Sequence, residues 1–148
     1  MLAVAVADIR SFTIPNSLNV AGFGLATLHA AALQPEAMLW AVAAAALRGA
    51  VLALVFLALR LVYAYARGRQ GLGLGDVKLA AVAGAWLDWM MMPIALELAA
   101  FAALLAYLLR QFVVRRSISA THRIPFGLFF APAIWLCWLL QATWMQVL

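Results

Sequence analysis

The sequence predicts an all-α, polytopic membrane protein: a single membrane-embedded domain over residues 1–148 with about six transmembrane helices, the first of them short. Three observations predict it. Apolar residues make up 69% of the chain and the mean hydropathy is +1.05, whereas an ordinary soluble domain is about half apolar. Charged residues are only 10%, too little polar surface to cover a water-soluble globule of this length. The apolar residues also fall into long segments separated by short turns that hold most of the charge, the pattern of a helical membrane bundle rather than of a greasy soluble domain.

The segments follow in order. The first runs from Met1 to about Ala7, and the second from Leu18 to about Leu33, ended by a turn at Gln34-Pro35-Glu36. A third apolar region spans Ala37 to Ala66, interrupted by Arg48-Gly49. The stretch Arg67-Gly68-Arg69-Gln70-Gly71-Leu72-Gly73-Leu74-Gly75 is too rich in glycine for a stable helix and reads as a loop. Asp76 opens the fourth segment, which reaches about Met92. Pro93 begins the fifth, to about Val114. A basic loop spans Arg115 to Arg123, and the sixth segment runs from about Pro125 to Leu148. Met1–Arg10 as a helix would be only about 15 Å long against a hydrocarbon core of roughly 30 Å. The expectation is therefore a reading frame that begins upstream, or a short first helix in a locally thinned bilayer. No cleavable signal peptide is evident, since no basic segment precedes the first apolar run.

Charge orients the segments. With the N-terminus outside, nine of the ten Lys and Arg residues fall on the inner side, Arg48 being the exception, as the positive-inside rule requires. Arg48 is expected to snorkel to the outer interface, with residues 37–47 lying partly along it. The net charge of +5 is thus a topology signal and not a nucleic-acid patch. Trp40, Trp86, Trp89 and Trp144 gather toward predicted outer ends, as an interfacial belt does. Cys137 is the sole cysteine, which excludes an intrachain disulfide; it reads as a small buried hydrophobe. His29 reads as packing and His122 as a loop residue, and no metal site or other cofactor is expected.

The same topology sorts the five acids. Glu36 and Asp88 fall at outer turns and Glu97 in the first outer turn of the fifth segment. Only Asp8 and Asp76 lie at inner helix ends, so only they could meet at one depth. Two adjacent carboxylates share a proton and titrate as a unit. Such a pair can activate a water for attack on a peptide carbonyl without metal or nucleophilic side chain. The plainer readings are an N-cap for Asp76 and an arginine-paired interfacial acid for Asp8. Gly71, Gly73 and Gly75 favour the catalytic reading, because glycine permits positive φ and close approach of a substrate backbone. Their spacing matches neither phosphate-binding motif, GxGxxG or GxxxxGK[ST].

Three segments together resemble the type IV prepilin (leader) peptidases: Asp8-Ile9-Arg10-Ser11-Phe12-Thr13-Ile14-Pro15-Asn16, like D-x-R-x-x-x-I-P-N; Gly71-Leu72-Gly73-Leu74-Gly75-Asp76-Val77-Lys78-Leu79, which holds GxGD and its following lysine; and Ile124-Pro125-Phe126-Gly127, like I-P-F-G-P. The resemblance implies a GxGD-type membrane aspartyl peptidase of the inner membrane. Its catalytic residues would be Asp8 and Asp76, and its motif and substrate-approach residues Gly73, Gly75 and Lys78. It would need no cofactor and would cut the basic leader from prepilins or pseudopilins at the cytoplasmic face. Lys78 would either anchor at the surface or bias the protonation of the pair, and Pro15 and Pro125 would start helices. Leu128 stands where the family has proline, and Ser11, Phe12 and Thr13 where basic residues are common. The paired CxxC motifs of longer members have no counterpart here, which makes this a short form and methylation of the new N-terminus an open point. Two other readings compete. In one, a small transporter or proton relay uses the same two acids; in the other, the protein is a non-catalytic membrane scaffold.

Overall fold

The computed structural model describes residues 15–68, 72–114 and 126–147. Among these residues it is helical throughout, without strands: α1 (Asn16–Leu33), a short 3-10 turn (Pro35–Ala37), α2 (Met38–Arg67), α3 (Leu74–Trp86), α4 (Met91–Val114) and α5 (Phe126–Val147). Three stretches, Pro35–Arg67, Met91–Leu109 and Phe126–Trp144, are long and apolar enough to cross a membrane. The all-α, polytopic reading of the sequence therefore holds. The predicted first segment, Met1 to Ala7, lies outside the described residues.

Local chemistry accounts for most of the boundaries. Pro15 sits just before α1 in an extended conformation, and its carbonyl accepts from the N–H groups of Leu18 and Asn19. α2 ends at Gly68, whose φ of 64° is the left-handed cap that glycine adopts without strain; its N–H donates to the Ala64 carbonyl at 2.9 Å. α4 starts at Met91, so Pro93 falls in its first turn, where the missing N–H costs nothing.

Three boundaries differ from the sequence reading. α2 is one helix of 30 residues, roughly 45 Å long, with no break at Arg48-Gly49. The glycine-rich stretch gives way to helix earlier than expected, since Leu74, Gly75 and Asp76 form the first turn of α3. The fourth segment stops at Trp86 and turns through Asp88, whose carbonyl accepts from Met91 and Met92, so Glu97 lies in the second turn of α4 rather than the first.

α3 is the hub. At 13 residues, roughly 20 Å, it is shorter than a bilayer core, yet Leu79, Ala80, Val82, Ala83, Gly84 and Ala85 are all buried. It packs on α2 most extensively, and also on α1 and α5, while α4 lies outside against α5. Small residues make this possible. A Cβ on Gly84 would lie 2.5 Å from the Arg48 carbonyl oxygen, and one on Gly49 would lie 2.7 Å from that of Ala81. The backbones of α2 and α3 thus touch at a glycine-on-glycine crossing, a close approach typical of membrane helices. Phe56 of α2 stacks on Phe130 of α5, at 5.8 Å between ring centroids, and Phe126 completes the cluster. Large apolar side chains such as Leu39, Leu54, Val62, Phe101 and Leu104 face outward, as they do where the surroundings are lipid tails.

Candidate active site

The packing gathers the start of α1, the end of α2 and the start of α3 at one end of the bundle. There Asp76 is the third residue of α3. Its Oδ2 accepts the N–H of Gly73 at 3.2 Å. This is the reach-back half of a capping box, which glycine, lacking a side chain, cannot return. An acid in the first turn also interacts favourably with the positive end of the helix dipole. The N-cap residue is Gly73 and not Asp76, but the capping role considered from sequence is real.

Two side chains brace this turn. Lys78 Nζ donates to Asn16 Oδ1 at 2.6 Å, a contact between the two motif segments. Arg60 of α2 donates from Nη1 to the Leu72 carbonyl at 2.9 Å, immediately ahead of Gly73. Asn16 closes the quoted D-x-R-x-x-x-I-P-N segment but had no role assigned to it, and Arg60 stood out only as a basic residue on the inner side.

Gly73 and Gly75 do not take the positive φ that glycine permits. Gly73 is extended, at φ −74° and ψ 150°, and Gly75 lies within α3. Among the described residues the sole positive-φ glycine is Gly68. A Cβ on Gly73 would stand 3.3 Å from Asp76 Oδ2 and crowd the carboxylate. Asp8 and Gly71 lie outside the described residues, as do His122 and Pro125.

The other acids are elsewhere. Asp88 follows the far end of α3, and its N–H donates to Gln141 Oε1 at 3.0 Å. Arg48 is held there too: Nε reaches the Gly84 carbonyl at 3.4 Å and Nη1 lies 3.9 Å from Asp88 Oδ1. Arg48 therefore docks on α3 at the end opposite Asp76. Trp86 is not a belt residue. Its indole donates to the Gly22 carbonyl at 2.9 Å and packs with His29 and Trp138, so His29 is packing, as expected. Trp40, Trp89 and Trp144 are exposed, and Cys137 is fully buried.

A model of the type IV leader peptidase family matches residues 1–108, most of the chain and both aspartate segments. The chain belongs to the type IV leader peptidase family. Among its relatives, a prepilin leader peptidase/N-methyltransferase of Escherichia coli (strain K12) is 30% identical over 86% of this chain and 53% of its own length. One of Burkholderia pseudomallei (strain K96243) is 32% identical over 88% of this chain and 40% of its own. One of Aeromonas hydrophila is 38% identical over 47% of this chain and 23% of its own. The chain thus spans about half or less of the curated relatives it matches. No solved structure matches it. Family membership and the apolar helices together fit an integral protein of the inner membrane.

Proposed function

We propose that this member of the leader peptidase family is an aspartyl endopeptidase that removes the basic leader of prepilins or pseudopilins at the cytoplasmic membrane face, with Asp8 and Asp76 as its catalytic pair. The observation that carries the reading is the Lys78–Asn16 hydrogen bond. It ties the turn bearing Asp76 to Asn16, the residue that closes the segment beginning with Asp8, and this supports a site shared by the two motifs. In the proposed reaction one carboxylate takes a proton from a water as that water attacks the scissile carbonyl carbon. The other carboxyl group donates its proton to the carbonyl oxygen. The tetrahedral intermediate then collapses, the C–N bond breaks, and the leaving amine takes up a proton. The substrate's leader stays cytoplasmic and its apolar helix lies in the bilayer beside the enzyme. The proposal covers the peptidase step alone.

The test is cleavage of a prepilin-type peptide by purified protein in lipid vesicles. Asp8→Asn and Asp76→Asn should each abolish cleavage while the protein still inserts; an active Asp8→Asn protein refutes the pair. Orientation is tested separately by thiol labelling. Arg67→Cys should react from the cytoplasmic side and Glu36→Cys from the outside, with the buried Cys137 silent in both.

A further inference from the structure

Arg60 and Asp76 meet on one peptide unit. Arg60 Nη1 donates to the carbonyl of Leu72 at 2.9 Å, and the N–H of the same Leu72–Gly73 peptide donates to Asp76 Oδ2 at 3.2 Å. In a planar trans peptide the carbonyl and the N–H point to opposite edges. A guanidinium therefore stands at one edge and a carboxylate at the other, at most about 8–9 Å apart. The peptide itself is anchored: the Leu72 side chain packs against the hydrophobic core, and Phe56, one turn before Arg60 on α2, is buried in that core.

A carbonyl needs only a neutral donor. Arg60 lies within the apolar stretch Pro35–Arg67, about 10 Å before the end of α2, where an ionised side chain is costly to keep. What a guanidinium adds over a neutral donor is charge. A cation on the carbonyl oxygen polarises the peptide and makes its N–H a stronger donor to the carboxylate beyond. Among the described residues few other charges belong to the helices packed on α3. α1 carries only His29, which packs with Trp86 and Trp138. α5 carries no charged residue, and its Cys137 is buried. α2 adds Arg48, held at the far end of α3, and the exposed Tyr63, Tyr65 and Arg67. On α3 itself, Lys78 donates to Asn16.

We propose that Arg60 acts through the Leu72–Gly73 peptide to orient the Asp76 carboxylate and keep it ionised. Asp76 is then the member of the pair that takes the proton from the attacking water, and Asp8 the member that gives its proton to the carbonyl oxygen. This rests on the peptidase reading above. Arg60 is a positioning residue, since it touches the peptide that holds Asp76 and not the reacting atoms. The sign of its effect follows from its charge. A nearby cation favours the ionised form of a carboxyl group, so without Arg60 the Asp76 carboxylate takes up its proton at higher pH.

Two measurements test this. The first is the pH profile of kcat/KM for a prepilin-type peptide cleaved by the protein in lipid vesicles, which reports the acid and base of the free enzyme. Arg60→Gln and Arg60→Met should each move the acid limb up by about 0.5–1 pH unit and lower the plateau about tenfold, with KM unchanged. Arg60→Lys, which keeps a cation and a donor, should return the limb to its wild-type position. Arg67→Gln should leave it in place. An unmoved acid limb in the neutral variants, movement of the alkaline limb instead, or an equal shift in Arg67→Gln overturns the proposal. Failure of both neutral variants to fold makes Arg60 a structural residue and overturns it too. The second measurement needs no catalysis. In an Asp8→Asn/Asp88→Asn protein Asp76 is the sole aspartate, so a nuclear magnetic resonance titration of isotopically labelled aspartate carboxyl carbon reads this group alone. Its titration midpoint should rise in Arg60→Gln and not in Arg60→Lys. The two readings fail separately: an unmoved midpoint refutes the relay whether or not the protein cleaves, whereas a raised midpoint beside a wild-type protein that cleaves nothing keeps the relay and refutes the peptidase.

Discussion

The two ends of α3 carry the same kinds of residue and use them for opposite purposes. At its start, Gly73 and Asp76 form a half-open turn, braced from a distance by Lys78 on Asn16 and Arg60 on the Leu72 carbonyl. At its end, Gly84 is pressed against the backbone of α2 and Leu87 is fully buried, with Asp88 beyond them in a tight turn. Glycine at the first end keeps room beside a carboxylate. Glycine at the second lets two backbones touch. A short helix buried from Leu79 onward thereby becomes a post that presents one acid, and such anchoring matters to the proposed reaction because a catalytic group displaced by about 1 Å can lose roughly 100-fold in rate.

The sharpest way to break this contrast is to neutralise the acid at each end. Asp76→Asn should lower cleavage by about 10²- to 10⁴-fold, the usual weight of a general acid or base. The fold should survive, because an asparagine carbonyl still accepts from Gly73 N–H. Cleavage rate and thermal midpoint, measured on the same preparation, check both halves. A variant that is both inactive and unfolded would make Asp76 a helix cap first and a catalyst only by inference.

The glycines come next. Gly84→Ala puts a Cβ against the Arg48 carbonyl at 2.5 Å. Backbone cannot yield there without spreading α2 from α3, so a loss of about 1–3 kcal/mol is expected, seen as a midpoint lowered by several degrees. Gly24→Ala on α1 meets nothing within 4 Å and should leave the midpoint unchanged or slightly raised. Equal behaviour of the two would remove the crossing from the argument. Gly73→Ala tests the other end. Its Cβ at 3.3 Å from Asp76 Oδ2 displaces the carboxylate by a few tenths of an ångström. Activity should fall about tenfold with little change in midpoint.

The sequence made the fold class legible because hydropathy and charge are read one residue at a time. The long apolar runs gave α2, α4 and α5, and the basic residues gathered by the bundle's packing at the Asp76 end, Arg60 and Lys78 among them, were already on one predicted side. What was misread depends on a neighbouring helix. Leu74 and Gly75 look like loop in a run of alternating glycines, yet burial of α3 from Leu79 onward carries the helix back to them. Arg48-Gly49 looks like an interruption, yet it is the point where α2 meets Gly84. Trp86 looks like a belt residue until the Gly22 carbonyl is beside it.

The smallest effect belongs to Asp88, and it tests the contrast most finely. Its carboxylate lies 3.9 Å from Arg48 Nη1, with side chains 52% and 17% exposed. A pair at that distance, half open to its surroundings, contributes about 0–1 kcal/mol. The other contacts of the turn are main-chain ones: the Asp88 carbonyl accepts from Met91 and Met92, and its N–H donates to Gln141. Asn at this position keeps all of them, and Arg48 keeps the Gly84 carbonyl. Asp88→Asn should therefore shift the midpoint by no more than about 2–4 °C and change the cleavage rate less than about twofold, since the residue lies the length of α3, roughly 18 Å, from Asp76. A large loss of activity without a loss of stability would mean that the two ends communicate through α3, and the post would have to be redrawn as a lever.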